Sequence, residues 1–317
     1  MARRELSVAA AIVGLAAVLT VVAPSYFAPD NLRDIFLSNA PVLIVAIGMT
    51  LLILCGEVDI SVGSIFAVSG VVAGVLAKLG LPLMAVVLGA VLAGGALGAV
   101  NGALVAHARI PSIVVTLATM VALRDGLRWA TQGQWVTDLP AYFQWLGLSQ
   151  RGHALLLVSL AVALVGVAFW TLRWLNLGRA VYAIGSNREA ARLAGLDPPL
   201  TVFAVFVLIG GLTGLAALLN ATRFNQIPIN AGLGLELKVI AAVVVGGAAI
   251  TGGRGTVTGT VLGVVLLAAI GPALTFLGVS AYWERAIQGG IILIAVATDR
   301  MGAHLARPAA ARTAAGP

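Results

Sequence analysis

Glu57 and Asp59 stand two residues apart inside an apolar wall. Residues 42–77 read VLIVAIGMTLLILCGEVDISVGSIFAVSGVVAGVLA. A carboxylate at membrane depth costs roughly 2.5–3.5 kcal/mol on insertion scales, so its default meaning is function. The Gly56–Ser64 stretch must also interrupt the helix that carries it. Irregular backbone at that depth persists only where protein buries it or it lines a water-filled cavity. Gly56, Glu57, Asp59, Ser61 and Gly63 are therefore candidate helix-break or gating groups. Asp59 is expected to cap the following helix by accepting amide hydrogens near Ser61 and Val62, with a direct substrate contact as the other reading.

The catalytic alternatives fail on spacing. A P-loop needs Lys followed by Ser or Thr after a Gly-rich turn. The only lysines are Lys78, followed by Leu79, and Lys238, followed by Val239. The chain has neither a His-Glu-x-x-His pair nor a Gly-x-Ser-x-Gly elbow. Asp59 lacks the facing second carboxylate that an aspartyl protease requires, because Glu57, two residues away, points elsewhere on a regular element. Three scattered histidines and the single Cys55 make neither a metal site nor a disulfide. The expectation is a non-catalytic chain without a cofactor or metal of its own.

Composition supplies the setting. Of 317 residues, 60% are hydrophobic and 10% charged, and mean hydropathy is +1.05. Soluble domains carry roughly a quarter charged residues, so the fold class is an all-α membrane protein. A pI near 10.5 comes from 19 Lys and Arg dispersed through short loops. That pattern fits topology and lipid headgroups rather than nucleic acid. The N-terminal apolar run is longer than a signal-peptide core and reads as an uncleaved first helix.

A spanning helix needs about 20 apolar residues. About ten candidates appear, near 6–23, 38–55, 62–79, 82–106, 111–130, 153–174, 200–220, 237–251, 257–277 and 283–299. One transmembrane domain over 1–317 follows, with Gly-rich broken helices. With the N-terminus cytoplasmic, eleven of the 19 basic residues fall on inside segments, including four Arg in 173–199 and three in the tail 300–317. This bias favours two cytoplasmic termini and a cytoplasmic 175–199 loop. A loop on the opposite face, 131–152, is framed by Trp129, Trp135, Tyr142 and Trp145, suiting an interfacial belt or a docking platform.

Within RWLNLGRAVYAIGSNREAARLAGLDP, Asn187 can cap a helix over 188–193, with Glu189 in its first turn and Gly195 closing it. Its small residues Ala190, Ala191 and Ala194 suit a groove on a partner; an interfacial helix on headgroups is the other reading. A second Gly-rich stretch, Gly252-Gly253-Arg254 to Gly259-Thr260, echoes Gly56–Ser64, as in transporters built from repeats with discontinuous helices. Arg254 is expected to anchor that break to headgroups or a partner. Asn101, Thr116, Asn220 and Asn225 are candidate pathway linings, with helix-packing hydrogen bonds as the plainer reading.

Three of these segments together resemble one family. GEVDISVGS at 56–64, AIGSNREAARLAGL at 183–196 and VVGGAAITGGRGTVTGT at 244–260 are similar to the membrane motifs, ATPase-docking segment and C-terminal Gly-rich motif of permease subunits from bacterial ABC importers for monosaccharides. That family covers ribose, xylose, arabinose, rhamnose and autoinducer-2. The resemblance implies an inner-membrane, multi-pass subunit that translocates a monosaccharide by alternating access. It implies a second permease subunit, identical or homologous, and a cytoplasmic ATPase with two nucleotide-binding units that carries the ATP and Mg. It also implies a periplasmic sugar-binding protein. Gly178, Arg179, Gly185, Asn187, Glu189, Ala190, Ala191 and Gly195 would then form the coupling loop. Glu57 stands where the family usually has Gly; with the Trp-rich loop, it points toward the rhamnose type. The alternatives are a nucleoside or branched-chain amino acid permease, an ion-coupled secondary transporter working through Asp59, and a membrane scaffold.

Overall fold

The computed structural model describes residues 2–280 and six further positions between 283 and 293, with side chains described from residue 5 onward. The described chain is helical, and its one extended pairing is the isolated bridge between Val136 and Ile227. Eleven α-helices follow in order. They are α1 (Ala2–Val22), α2 (Pro29–Leu54), α3 (Val62–Lys78), α4 (Leu83–Ala106), α5 (Ser112–Ala130), α6 (Gln150–Trp174), α7 (Asn176–Ser186), α8 (Arg188–Leu193), α9 (Pro198–Ala221), α10 (Leu235–Val245) and α11 (Val257–Phe276).

Among the described residues, six helices are long and apolar enough to cross a membrane: α1, α2, α4, α6, α9 and α11. Six of the ten expected spans coincide with them. The 62–79 segment is a 17-residue apolar helix. Helix α5 carries Arg124, Asp125 and Arg128 near its end. The largest departure is at 237–251: α10 has only 11 residues, about 16 Å at 1.5 Å per residue, which is half a span. It ends at Val245 because Gly246-Gly247 turns the chain, with Gly247 at φ +100°. The tenth expected span, 283–299, and the tail 300–317 lie largely outside the described residues.

Helix α2 forms the axis. From Leu37 to Leu54 it is apolar on nearly every side and nearly all of its residues are buried, as expected of a helix enclosed by others. Helices α9, α11, α10 and α6 surround it. The closest pairing is α4 against α9, glycine facing glycine. A Cβ on Gly94 would sit 3.0 Å from the Gly214 amide nitrogen, and one on Gly98 would sit 3.2 Å from the Gly210 Cα. Small residues permit this approach, which dispersion then stabilises in lipid.

The bundle has two distinct ends. At one, Tyr26 meets Phe276 edge-on at 5.7 Å. At the other, Glu5 accepts hydrogen bonds from Thr256 (2.5 Å) and Thr258 (3.2 Å), and α7 and α8 lie beside this end through contacts described next.

Candidate functional site: a junction of two helix breaks and a connector

The first break runs from Cys55, which caps α2, to Ser61, which precedes α3. The second joins α10 to α11 over Gly246–Thr256. The internal echo in the sequence has a spatial counterpart: the Gly253 amide donates to the Leu54 carbonyl at 2.9 Å, tying one break to the other. The connector α7 closes the triangle. Gly185 abuts both breaks so closely that a Cβ would lie 2.6 Å from the Gly253 nitrogen and closer still to the Leu54 carbonyl oxygen. Gly56 and Gly252, at φ +80° and +90°, adopt left-handed turns open to glycine at no steric cost. The Tyr182 hydroxyl on α7 donates to the Gly255 carbonyl at 2.8 Å, and burial pushes that hydroxyl above its ordinary pKa.

Glu57 is the charged member of the junction. Its side chain is 10% exposed and pairs with the Arg188 guanidinium, which is 52% exposed. Arg188 also donates to the Cys55 carbonyl at 3.4 Å. Since Arg188 is the first residue of α8, an ion pair spans the first break and the connector across 131 residues of sequence. Arg254 is placed in the second break, where its carbonyl accepts from Ala249 at 2.8 Å.

The connector holds two helices where the sequence reading allows one. Helix α7 buries Gly178, Ala180, Val181 and Ile184, at helical spacing. Gly178 packs on the end of α6 at Leu172, and Arg179 donates to Asn176. Helix α8 follows the expected bounds. The Asn187 side chain accepts from the Ala190 amide at 3.0 Å, and the Gly195 amide closes onto Arg192 at 3.0 Å with φ +83°. Of its small residues only Ala191 is buried; Ala190 and Ala194 face outward. Glu189 pairs with Arg192 at 2.8 Å, both exposed, and Leu193 is 80% exposed.

Asp59 is fully buried. Its Oδ1 accepts from the Ser61 amide at 2.8 Å and the Ser61 hydroxyl at 2.6 Å. The expected cap is thus a tight local turn confined to Ser61; no bond to the Val62 amide forms, and Ser61 is the residue that precedes α3. The relay continues: Asn101 donates to the Ser61 hydroxyl at 2.8 Å, and Thr119 donates to the Asn101 oxygen at 2.7 Å. One polar chain therefore joins the break to α4 and α5. Gly63, the second residue of α3, abuts Gly232 and the Glu236 carboxylate at the start of α10.

The remaining candidates disperse. Thr116 donates to its own helix at Ser112, 2.8 Å away. Asn220 lines a hollow of ≈ 10 Å³ with Phe66 and Ile227, about the room one water occupies. Asn225 is exposed and accepts from Gln144 in the aromatic loop. Asn101 alone of the four enters the break network. In the 131–152 loop, Tyr142 donates to the Ala77 and Leu81 carbonyls, and Trp129 is 84% exposed. The Glu57–Arg188 pair, Tyr182 and α7 carry no local sequence signal strong enough to single them out. A polar stripe at Asn31, Asp34 and Ser38 does have one, the three-four spacing of a helix face.

A family model described as branched-chain amino acid transport system / permease component matches residues 31–296. The ribose import permease RbsC of Escherichia coli K12 is 34% identical over 297 residues, covering 91% of each chain. The L-arabinose ABC transporter permease AraH of Azospirillum brasilense is 38% identical, covering 90% of this chain and 84% of its own. The autoinducer 2 import permease LsrC of Photorhabdus luminescens is 34% identical, covering 93% and 89%. No solved structure matches the chain. With apolar helices enclosing a junction of two broken segments, and with matches over nearly its whole length, the chain belongs to this ABC importer permease family and is a multi-pass protein of the inner membrane.

Proposed function

We propose that the chain is the membrane subunit of an ATP-driven importer that moves a monosaccharide, a pentose or a deoxyhexose such as rhamnose, by alternating access. The observation that carries the proposal is the junction at one end of the bundle. Gly185 of the connector abuts both helix breaks, and Arg188 grips the first, so a push on α8 reaches α2, α3, α10 and α11 together. The exposed face of α8, with Arg192, Leu193 and Ala194, is the surface a separate ATPase would grip. That ATPase, with two nucleotide-binding units, carries the ATP and Mg; this chain hydrolyses nothing. The junction end, including the N-terminus, faces the cytoplasm on this reading. A second permease subunit completes the pathway, and a periplasmic binding protein delivers the sugar. Sugar-importing relatives at 34–38% identity support the monosaccharide over the amino acid named in the family description.

The test is reconstitution in sealed vesicles with and without the ATPase and binding protein. Uphill accumulation of ribose, arabinose or rhamnose only in the complete, ATP-supplied assembly is the expected result. Uphill movement by the chain alone under a proton or sodium gradient would instead establish a secondary transporter.

A further inference from the structure

The loop between α5 and α6 is held down at the end of α3 away from the first break. Tyr142 donates to the Ala77 and Leu81 carbonyls at 2.8 and 2.9 Å. The Trp145 amide donates to the Thr222 carbonyl at 2.8 Å, at the end of α9. Val136 and Ile227 exchange main-chain hydrogen bonds of 3.1 and 2.9 Å, and Gln144 donates to Asn225. Between these ties the loop inserts Phe143, fully buried, and Leu139, 9% exposed. Both plug a small apolar cluster among α3, α4 and α9, with Ala73, Val86 and Leu218, that is separate from the core around α2. Gly74 on α3 leaves room for the bridge: a Cβ there would lie 2.6 Å from the Ile227 side chain and 3.1 Å from that of Val136.

The ends of this loop are built to turn. Gly133 and Gly147 both take positive φ, +75° and +71°. A Cβ on Gly133 would meet nothing within 4 Å, and one on Gly147 only the Tyr142 carbonyl oxygen at 3.6 Å. Four of the five described non-glycine residues at positive φ also lie here: Gln132, Asp138, Trp145 and Leu146. Trp145 and Leu146 are bulky neighbours in the left-handed region, which strains both. Such strain persists only where surrounding contacts impose it, and it gathers at clamps and switches. Here the imposing contacts are the Trp145–Thr222 bond and the Trp145 ring edge-on to His153 at 5.2 Å. His153 in turn bonds the Thr222 hydroxyl at 3.1 Å, so one corner at the end of α9 holds the strained pair in place.

What the loop grips is the linker from α9 to α10. Ile227 of that linker is pinned by the bridge. Farther along, Gly232 presses on the start of α3, where its Cβ would lie 2.6 Å from the Gly63 carbonyl oxygen. The linker therefore runs from the loop to the edge of the first break. We propose that residues 133–147 form a hinged lid, closed in this structure, which clamps the α9–α10 linker and lifts during each transport cycle. The lid adds a gate to the importer reading and rests on that reading. While Leu139 and Phe143 fill their cluster, the linker cannot leave α3. Lifting parts the bridge and the bonds of Tyr142, Gln144 and Trp145, lets the strained pair relax, and leaves the core around α2 intact.

The test locks the lid in the complete importer, reconstituted with its ATPase and binding protein and supplied with D-ribose, L-arabinose or L-rhamnose. Val136→Cys with Ile227→Cys places two thiols at a hydrogen-bonded antiparallel pair, where Cα atoms stand ~5.5 Å apart, within the disulfide range of about 4.4–6.8 Å. Gln144→Cys with Asn225→Cys, bridged by a short reducible bis-thiosulfonate, is the second lock. It alters only surface side chains and serves if the first pair fails to fold or to oxidise. With the link closed, uptake should fall about tenfold or more, and thiol reduction should restore it. Hydrogen exchange on the wild-type importer reads the lid without any substitution: the Val136 and Ile227 amides should exchange about tenfold faster during ATP turnover than at rest. Undiminished uptake through a closed link, or equal exchange in the two conditions, would overturn the lid while ATP-driven uptake leaves the importer standing. No ATP-driven uptake by the wild type would remove the importer, and the lid with it.

Discussion

Gly185→Ala should disconnect the motor end of this protein with a single methyl group. The Cβ would lie 2.6 Å from the Gly253 nitrogen and 2.9 Å from the Leu54 carbonyl carbon. Both are backbone atoms, and neither can rotate away. The Leu54 carbonyl oxygen lies nearer still, and ordinary carbon contacts need ~3.5 Å or more, so α7 must retreat by well over an ångström. That retreat pulls directly on the Gly253–Leu54 hydrogen bond at 2.9 Å, which joins the two breaks. Overpacking a well-packed site costs roughly 1–3 kcal/mol, and loss of the hydrogen bond adds about 1 kcal/mol, so the junction should weaken by about 2–4 kcal/mol. The assay pairs two measurements on the reconstituted importer: thermal unfolding of the permease, and sugar-stimulated ATPase rate with uptake. A modest loss of stability with a collapse of uptake per ATP hydrolysed is expected. Unchanged uptake with an unchanged melting profile would refute the reasoning that the three segments meet rigidly at Gly185.

Other perturbations test the parts separately. Arg188→Ala leaves the Glu57 carboxylate buried without its partner and should destabilise by roughly 2 kcal/mol, below the 3–5 of a fully buried pair because half of the guanidinium is solvated. A double-mutant cycle with Glu57→Gln reads the coupling directly, and a value near zero would dissolve the pair. Asp59→Asn keeps an acceptor for Ser61 and should stay within about 1 kcal/mol of wild type, whereas Asp59→Leu should lose about 2 kcal/mol more by orphaning the Ser61 donors; equal melting temperatures for the two would count against the turn. Tyr182→Phe removes the bond to Gly255 and should cost about 1 kcal/mol, read by chemical denaturation. Asn101→Leu breaks the relay from Thr119 to Ser61 and should loosen α5, seen as faster amide exchange over residues 112–120.

The local signals were legible and the distant ones were not. Asn187 and Gly195 announce α8 because a cap needs only its own neighbours. The interruption at Gly56 is visible because charges break an apolar run. Helix α7 hides because Leu175 offers no capping side chain and its buried face is only three or four residues of a short stretch. The shortness of α10 hides as well: hydropathy continues through Ile250, yet the chain turns at Gly247, at φ +100°, and the helix stops at Val245, five residues earlier. No sequence pattern links Glu57 to Arg188, since tertiary folding alone brings them together. Asn31 and Asp34 fall before residue 38, where an apolar count places the start of the second span, yet α2 begins at Pro29, and its polar first turns belong to the same helix.

The glycine seam between α4 and α9 has a mechanical corollary. Two backbones this near cannot slide past each other without steric collision, nor part without opening a gap that lipid tails would have to fill. Those helices must travel as a single plank during any transport cycle. Any bending of the bundle is then left to elements outside that seam.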